Sequence, residues 1–405
     1  MPARQTHPHV IVVGAGIVGA ATAFYLARSG ATVTLLDAKT PSAGATGASD
    51  GAVSVASKRP GVMMQLARQA RDLYAQLVSE GVLTGLYHTR PTYLFARSPD
   101  EVDLINSQGR DLASQGEVIL SLSRDELLQR IPGMGPSVLA GLKVPFDGHA
   151  IGYQVVNRLL AQANVTPLRH TPVERLAMAG DRVVGVHTAG GVMKADAVVV
   201  AAGWGSGALL GLDGILIPRK GQLVITDRAA ASVSAFPGPL MSAGYLAAKR
   251  ASVLGQNPVN LVIDPLRTGQ FLIGSSREEG LSDCNTDVRT VSAILREALD
   301  VYPPLARQRV IRTFAGVRVA TRDGLPVFGR HPALKGLIVA TGMQGDGICL
   351  GPLIGAAAAR LAYEQDPAQD FSALSPARFF ATGAWSFPDE NATETTALQP
   401  VAGYQ

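Results

Sequence analysis

Three glycines and one acid carry the first chemistry in this chain: Gly14, Gly16 and Gly19 in GAGIVG, then Asp37 eighteen positions further on. At this spacing each glycine has its own task. Gly14 permits a tight turn, Gly16 lets a pyrophosphate approach bare backbone N–H groups at a helix N-terminus, and Gly19 lets that helix lie against a sheet. Asp37 would accept hydrogen bonds from a ribose hydroxyl pair and repel a 2′-phosphate. A structural turn without a ligand is the alternative, because glycine supplies 44 of the 405 residues.

The flanking residues supply the elements such a site needs. Val10 to Val13 are four β-branched residues in a row, the pattern of a strand buried on both faces. Ile17 to Leu26 is apolar and alanine-rich and reads as the helix, with Gly30 at its C-cap; Thr32 to Leu36 form a second strand that Asp37 closes. Residues 41–54, PSAGATGASDGAVS, read as a loop whose backbone amides, with the Thr46 or Ser49 hydroxyl, can wrap a sugar and phosphate. A plain connection is the other reading of that loop. Helical spacing of Met64, Leu66, Ala67, Ala70, Leu73 and Leu77 predicts an amphipathic helix over 61–80. SRDELLQRIPGM (123–134) reads as a capped helix stopped by Pro132, and 153–164 as another helix.

A later segment decides which cofactor the pattern favours. Residues 183–188 and 192–194 read as hairpin strands, and Asp196 to Ala202 as a second doubly buried strand ending on Gly203. A β-meander followed by a strand ending in AAG is the construction of a glutathione-reductase-type nucleotide domain. This points to FAD rather than NAD. The fold class expected is α/β, a Rossmann FAD-binding domain with a second, mixed-sheet substrate domain.

Bulk composition narrows the rest. A chain of 405 residues is long enough for two domains, and 47% hydrophobic with 17% charged residues describes an ordinary globular enzyme. A net charge of +4 without a basic run argues against nucleic acid. Cys284 and Cys349, far apart and without histidines at ligand spacing, argue for a reducing cytoplasm and against a metal or iron–sulfur cluster bound by this chain. The polar start MPARQTHPH predicts no signal peptide. The apolar runs around Val198 and Ala356 are cut by Lys194, Asp196 or Arg360, which predicts no membrane span.

Seven segments, in order, resemble the D-amino-acid oxidase and glycine oxidase family: GAGIVG with its acid, GATGAS, VVVAAGWGS, RKGQ (219–222), FLIGSSREEG (271–280), GVRVATRDGLPVFGR (316–330) and GMQGDGICLGPLIG (342–355). SDGAVSVASKRPG (49–61) is similar to the flavin subunits of multi-subunit amine dehydrogenases acting on D-hydroxyproline, opines or glycine with cyanide formation. The resemblance implies FAD contacts at Gly14, Gly16, Ile17, Val18, Gly19, Asp37, Ala38, Thr46, Gly47, Ala48, Ser49, Val173, Ala201, Ala202, Gly203, Trp204, Gly316, Gly345, Asp346, Gly347 and Ile348. GMQGDG precedes an apolar helix, Leu350 to Leu361, whose positive end would face the flavin N1 and C2 carbonyl.

For catalysis the resemblance implies Arg318 on the substrate α-carboxylate, a role suited to a guanidinium, which holds a carboxylate by two parallel hydrogen bonds. Pairing with Asp323 or with a surface carboxylate is the alternative for Arg318. Tyr245 is expected to assist with the carboxylate or to be an ordinary half-buried strand residue. Lys249 is expected as a second anion contact, a site of oxygen activation, or a solvated lysine. The implied reaction is oxidation of a C–N bond in a small amino acid or N-substituted amino acid by hydride transfer to flavin N5, giving an imine that hydrolyses. Orientation would carry most of the rate.

Two other readings stay open: an NAD-dependent dehydrogenase, and a flavin-carrying subunit that serves assembly or electron relay in a hetero-oligomer. An FMN or iron–sulfur centre would then come with a partner subunit. The domains expected are 1–85, 147–215 and 310–385 for FAD, 86–146 and 216–309 for substrate, and 386–405 as a tail.

Overall fold

The doubly buried runs pair with one another. In the computed structural model, which describes residues 7–212, 214–229, 236–250, 259–381, 383 and 385, strand His9–Val13 lies between Thr32–Leu36 and Ala197–Val200, parallel to both. Leu337–Thr341 extends the sheet in parallel beyond Ala197–Val200, and Val327–Arg330 closes that edge antiparallel. A sheet with helices against it must be apolar on both faces. Ile11 and Val13 accordingly pack with Val198, Val200 and Val339, whereas Val10 and Val12 pack with the helices.

Two helices start from the carboxyl ends of parallel strands in this sheet. Ile17–Arg28 follows the first strand and Gly347–Ala362 follows Leu337–Thr341, so both present their N-termini at the same end. They approach closely because one of them lacks side chains at the contact. A Cβ on Gly351 would lie 2.7 Å from Ile17, and one on Gly355 2.5 Å from Ala21. The three-stranded meander Val173–Ala179, Arg182–Thr188 and Gly191–Lys194 forms a sheet of its own.

The second unit is a nine-stranded mixed sheet in which Leu216–Thr226 lies next to one edge. Helix Val288–Val301 covers it through Ile294 and Ala298, which pack with Val224, Phe271, Ile273 and Tyr302. Strand Val310–Thr321 pairs along its length with Leu216–Thr226 and therefore belongs to this sheet, not to the nucleotide unit in which residues 310–385 were expected. Its last residues still reach the nucleotide side, where Val319 packs with Val327 and Val339.

Several local expectations shift at their edges. The helix over 61–80 runs Val62–Ser79, and the capped helix is Arg124–Arg130, held by a Ser123–Glu126 capping box. Tyr245, for which a strand position was one of two readings, lies on helix Ala243–Arg250 instead. The expected tail, residues 386–405, lies outside the described residues; before it, Trp385 is buried and donates Nε1 to Leu210 O at 2.7 Å. Among the described residues no helix is long and apolar enough to cross a membrane.

The glycine assignments can be tested sterically. Gly14 has φ +101°, and its missing Cβ would fall 2.5 Å from Ala201 O; a Cβ on Gly19 would fall 1.8 Å from Gly14 O. Gly19→Ala must therefore push the helix off the strand, with an expected loss of about 1–3 kcal/mol read as a lower Tm.

Candidate active site

Gly16, by contrast, is hemmed in by no backbone atom. Its Cβ position meets only Thr46 Oγ1, at 3.1 Å. Gly16 is the N-cap of Ile17–Arg28 and supplies no side-chain cap. Thr46 caps that helix from the following loop, accepting the Ile17 N–H at 3.0 Å, while Ser49 Oγ donates to Thr46 O at 2.8 Å. The helix end, the loop and the bare glycine between them make a cradle that fits a diphosphate.

Asp37 sits at the end of the second strand as expected, but its carboxylate already accepts the Ala15 N–H at 2.7 Å on Oδ2 and the Lys39 N–H at 2.8 Å on Oδ1. Each oxygen keeps a second lone pair, so the arrangement orients the group without filling it. Ala38 and Gly47 are exposed beside it, and Ile17 and Val18 are buried at the helix start. Ala201, Ala202 and Gly203 lie where the third parallel strand ends against Gly14; Gly203 has φ +57° and its carbonyl accepts the Thr341 hydroxyl at 3.0 Å. Trp204 follows at 37% exposure, and Val173 is half-buried at the start of the meander.

The large sheet meets this cradle through glycine. A Cβ on Gly316 would come within 2.4 Å of the Ala48 methyl, so strand Val310–Thr321 rests on the loop there. Two residues along, on the same face, stands Arg318. Its Nη2 donates to Ser275 Oγ at 2.7 Å and its Nη1 to Ser276 O at 3.4 Å. The guanidinium lies over Gly221, whose Cβ would come within 2.7 Å of both Nη atoms. Gly345 flanks the stem, its Cβ position 3.7 Å from Arg318 Cδ. Arg318 is thus half-buried beside the GMQGDG turn. The alternative partner, Asp323, is held by Arg378 at 2.7 Å.

Behind the turn, Asp346 is the N-cap of Gly347–Ala362, and Gly347 and Ile348 open the helix. Its Oδ1 lies 2.5 Å from Lys58 Nζ and 3.8 Å from Lys249 Nζ. Burial disfavours the charged carboxylate, but Lys249 and Lys58 outweigh it and bring Asp346 down to about 2. Burial would likewise lower Lys58, yet Asp346 holds it above the ordinary lysine range. Lys249 also donates to Ser57 Oγ at 3.0 Å and sits 5.4 Å from the Tyr245 ring centroid. The structure therefore brings Tyr245, Lys249 and Asp346 together and adds Lys58, to which the sequence assigned no role.

Also unassigned were Arg219, Arg277, Glu279 and Gln344 on the Arg318 face. The signal was available as alternation: Arg219 and Gly221 in RKGQ, then Ser275, Arg277 and Glu279 in FLIGSSREEG, put polar groups on one side of two strands. Among the described residues no cluster of His, Cys, Asp and Glu could hold a metal ion.

Residues 9–361 match the DAO family model, FAD dependent oxidoreductase. The chain is 29% identical to glycine oxidase from Geobacillus kaustophilus over 389 residues, covering 92% of this chain and 98% of the relative. It is 25% identical to an opine oxidase subunit from Rhizobium meliloti, covering 80% and 85%. The crystal structure of glycine oxidase from Geobacillus kaustophilus superposes with a TM-score of 0.81 at 26% identity, over 91% of this chain and 98% of that one. The open choice between a nicotinamide and a flavin is decided for FAD: the chain belongs to the DAO family of FAD-dependent oxidoreductases.

Proposed function

We propose that this protein oxidises the C–N bond of a small amino acid or N-substituted amino acid, with Arg318 holding the α-carboxylate. The observation that carries the reading is Arg318 itself, half-buried, tethered by Ser275 and Ser276, and set against Gly345 of the turn that opens helix Gly347–Ala362. A fixed planar fork gives a carboxylate one preferred orientation, which sets the α-carbon toward the cradle side. Bound there, FAD would supply a hydride acceptor at N5.

The chain's own residues do the rest. The amides at the start of Ile17–Arg28 would hold the diphosphate, and Asp37 the ribose. Ala38, Gly47, Ala48, Ser49, Val173, Ala201, Ala202, Gly203, Trp204 and Gly316 would complete the contacts to FAD, with Gly345, Asp346, Gly347 and Ile348 toward its ring. Tyr245 closes the carboxylate side, and Lys249, exposed at its residue as a whole, reaches Asp346 at 3.8 Å beside Lys58. No acid or base has to move a proton at the carbon, because a neutral amine's lone pair drives the C=N bond. Water then hydrolyses the imine.

Anaerobic bleaching of the purified yellow protein by a panel of D-amino acids, glycine, sarcosine, hydroxyproline and opines tests the reading; no bleaching by any of them overturns it. Gly16→Ala separates fold from cofactor. The backbone, at φ −75°, accepts alanine, and the one neighbour that must give is the Thr46 hydroxyl 3.1 Å from the new methyl, so the fold persists with a loosened helix cap while the methyl enters the diphosphate cradle. FAD affinity is expected to fall by at least about tenfold, near 1.4 kcal/mol, in equilibrium dialysis.

The likeness to the opine oxidase subunit favours a second arrangement, in which electrons leave through a partner subunit carrying FMN or an iron–sulfur centre. Flavin that bleaches with substrate but reoxidises slowly in air supports it; rapid peroxide formation by the isolated chain counts against it. The two-cysteine content keeps a cytoplasmic location part of this reading.

A further inference from the structure

The sheet face that carries Arg318 holds more positive charge than one carboxylate requires. Arg219 stands directly opposite Arg318 in the strand pair, and Arg277 and Glu279 continue that face on the neighbouring segment. Arg219 and Arg277 both donate Nε to the same oxygen, Glu279 Oε1, at 2.6 and 3.1 Å. Arg219 Nη1 reaches Gln344 Oε1 at 3.3 Å, and Arg277 Nη1 donates to Ala248 O at 2.8 Å. Among the described residues neither Nη2 has an acceptor.

Two guanidinium groups therefore share one carboxylate while a third, Arg318, stands beside them on serine oxygens alone, with side chains of Arg219, Arg277 and Glu279 only 16%, 19% and 21% exposed. Burial and the repulsion of Arg277 and Arg318 push Arg219 below its ordinary value despite Glu279. Partly desolvated like charges in this number are unfavourable until another anion arrives. The nearby lysines do not change the balance toward neutrality: Lys58 and Lys249 share the single carboxylate of Asp346.

We propose that Arg219 and Arg277 form a second anion subsite beside Arg318, and that the preferred substrate is a dianion, a secondary amine whose nitrogen joins two carboxylate-bearing arms. This deepens the reading of Arg318 given above and rests on it. One carboxylate lies on Arg318, and the other meets the Nη2 groups that Glu279 holds side by side. Glu279 is a positioning residue, and a guanidinium pair suits a planar anion better than two ammonium groups would. A substrate with one carboxylate leaves the pair unmatched.

The test uses the FAD-loaded protein and two ligand pairs. Iminodiacetate and sarcosine are compared as anaerobic reductants of the flavin. Glutarate, which replaces the amine of iminodiacetate by methylene, is compared with butyrate by equilibrium binding read as a thermal shift. The dianion is expected to be favoured at least about tenfold in both pairs, and Arg277→Met to bring both preferences near one, with Arg277→Lys intermediate. Wild-type protein that oxidises sarcosine and shows no dianion preference overturns the subsite and leaves the amine-oxidation reading standing. A glutarate preference that depends on Arg277, without bleaching by either amine or by any other member of the panel above, supports the subsite and overturns that reading. Equal loss for both members of each pair in Arg277→Met also overturns the subsite.

Discussion

Replacing Arg318 by leucine is expected to raise the amino acid concentration for half-maximal flavin reduction about 10²- to 10³-fold. That magnitude follows from about 3–4 kcal/mol lost when a partly buried carboxylate is left without its charged partner. Leucine fits the space over Gly221 and keeps apolar contact with Gly345, so the fold should hold. The hydroxyl of Ser275, which now accepts from Nη2 at 2.7 Å, can turn to another partner. Arg318→Lys restores the charge without the fork and should recover only part of the loss. Because the lost contact also sets the orientation of the α-carbon, the maximal rate of reduction should fall as well. Stopped-flow reduction across a substrate series checks this. Half-saturation unchanged in Arg318→Leu would remove the residue from the site.

How much of this was legible in the chain differs between its two units. The nucleotide unit follows from local patterns: four β-branched residues, glycines whose missing Cβ atoms would strike Ala201, Gly14, Ile17 and Ala21, and an acid closing a strand. Each signal lies within a short window. The substrate sheet is built otherwise. Arg219 and Arg318 become neighbours only through pairing of strands almost a hundred residues apart in sequence, as Arg219 faces Arg318 and Lys220 faces Val317. Nothing in RKGQ announces that partner. The assignment of 310–321 to the nucleotide unit failed for the same reason, since a strand's sheet is set by hydrogen bonds that periodicity does not record. Tyr245 went to a helix because AGYLAAKR is as good a helix as a strand. Lys58 was quoted within a motif, yet a lysine 6% exposed is unexpected without a buried carboxylate, and that carboxylate lies 288 positions away.

Asp346→Asn should be among the most destabilising single changes, and more damaging than Lys58→Met. The asymmetry follows from what each change leaves behind. Without its carboxylate, the Lys58 ammonium is buried against a neutral amide, and an uncompensated buried charge costs about 3–5 kcal/mol. Without Lys58, the Asp346 carboxylate still has Lys249 at 3.8 Å and the N-terminus of Gly347–Ala362, each worth something to an anion. A loss of about 1–3 kcal/mol is then expected. The double change Lys58→Met with Asp346→Asn should recover much of the single Asn loss, since the orphaned charge is gone. The pair also fixes the direction of the pH response. Asp346 titrates near 2 when folded against 3.8 for the ordinary carboxyl, so its contribution, about 2 kcal/mol, is present above pH 4 and lost as pH falls through 2. Lys58, raised when folded, contributes below the ordinary lysine range and loses that contribution only at still higher pH. Thermal unfolding of the FAD-free protein between pH 5 and pH 2 should therefore show a steeper fall in Tm for wild type than for Asp346→Asn. Parallel acid limbs, or a Lys58→Met protein less stable than Asp346→Asn, would mean that the ion pair does not hold the start of this helix.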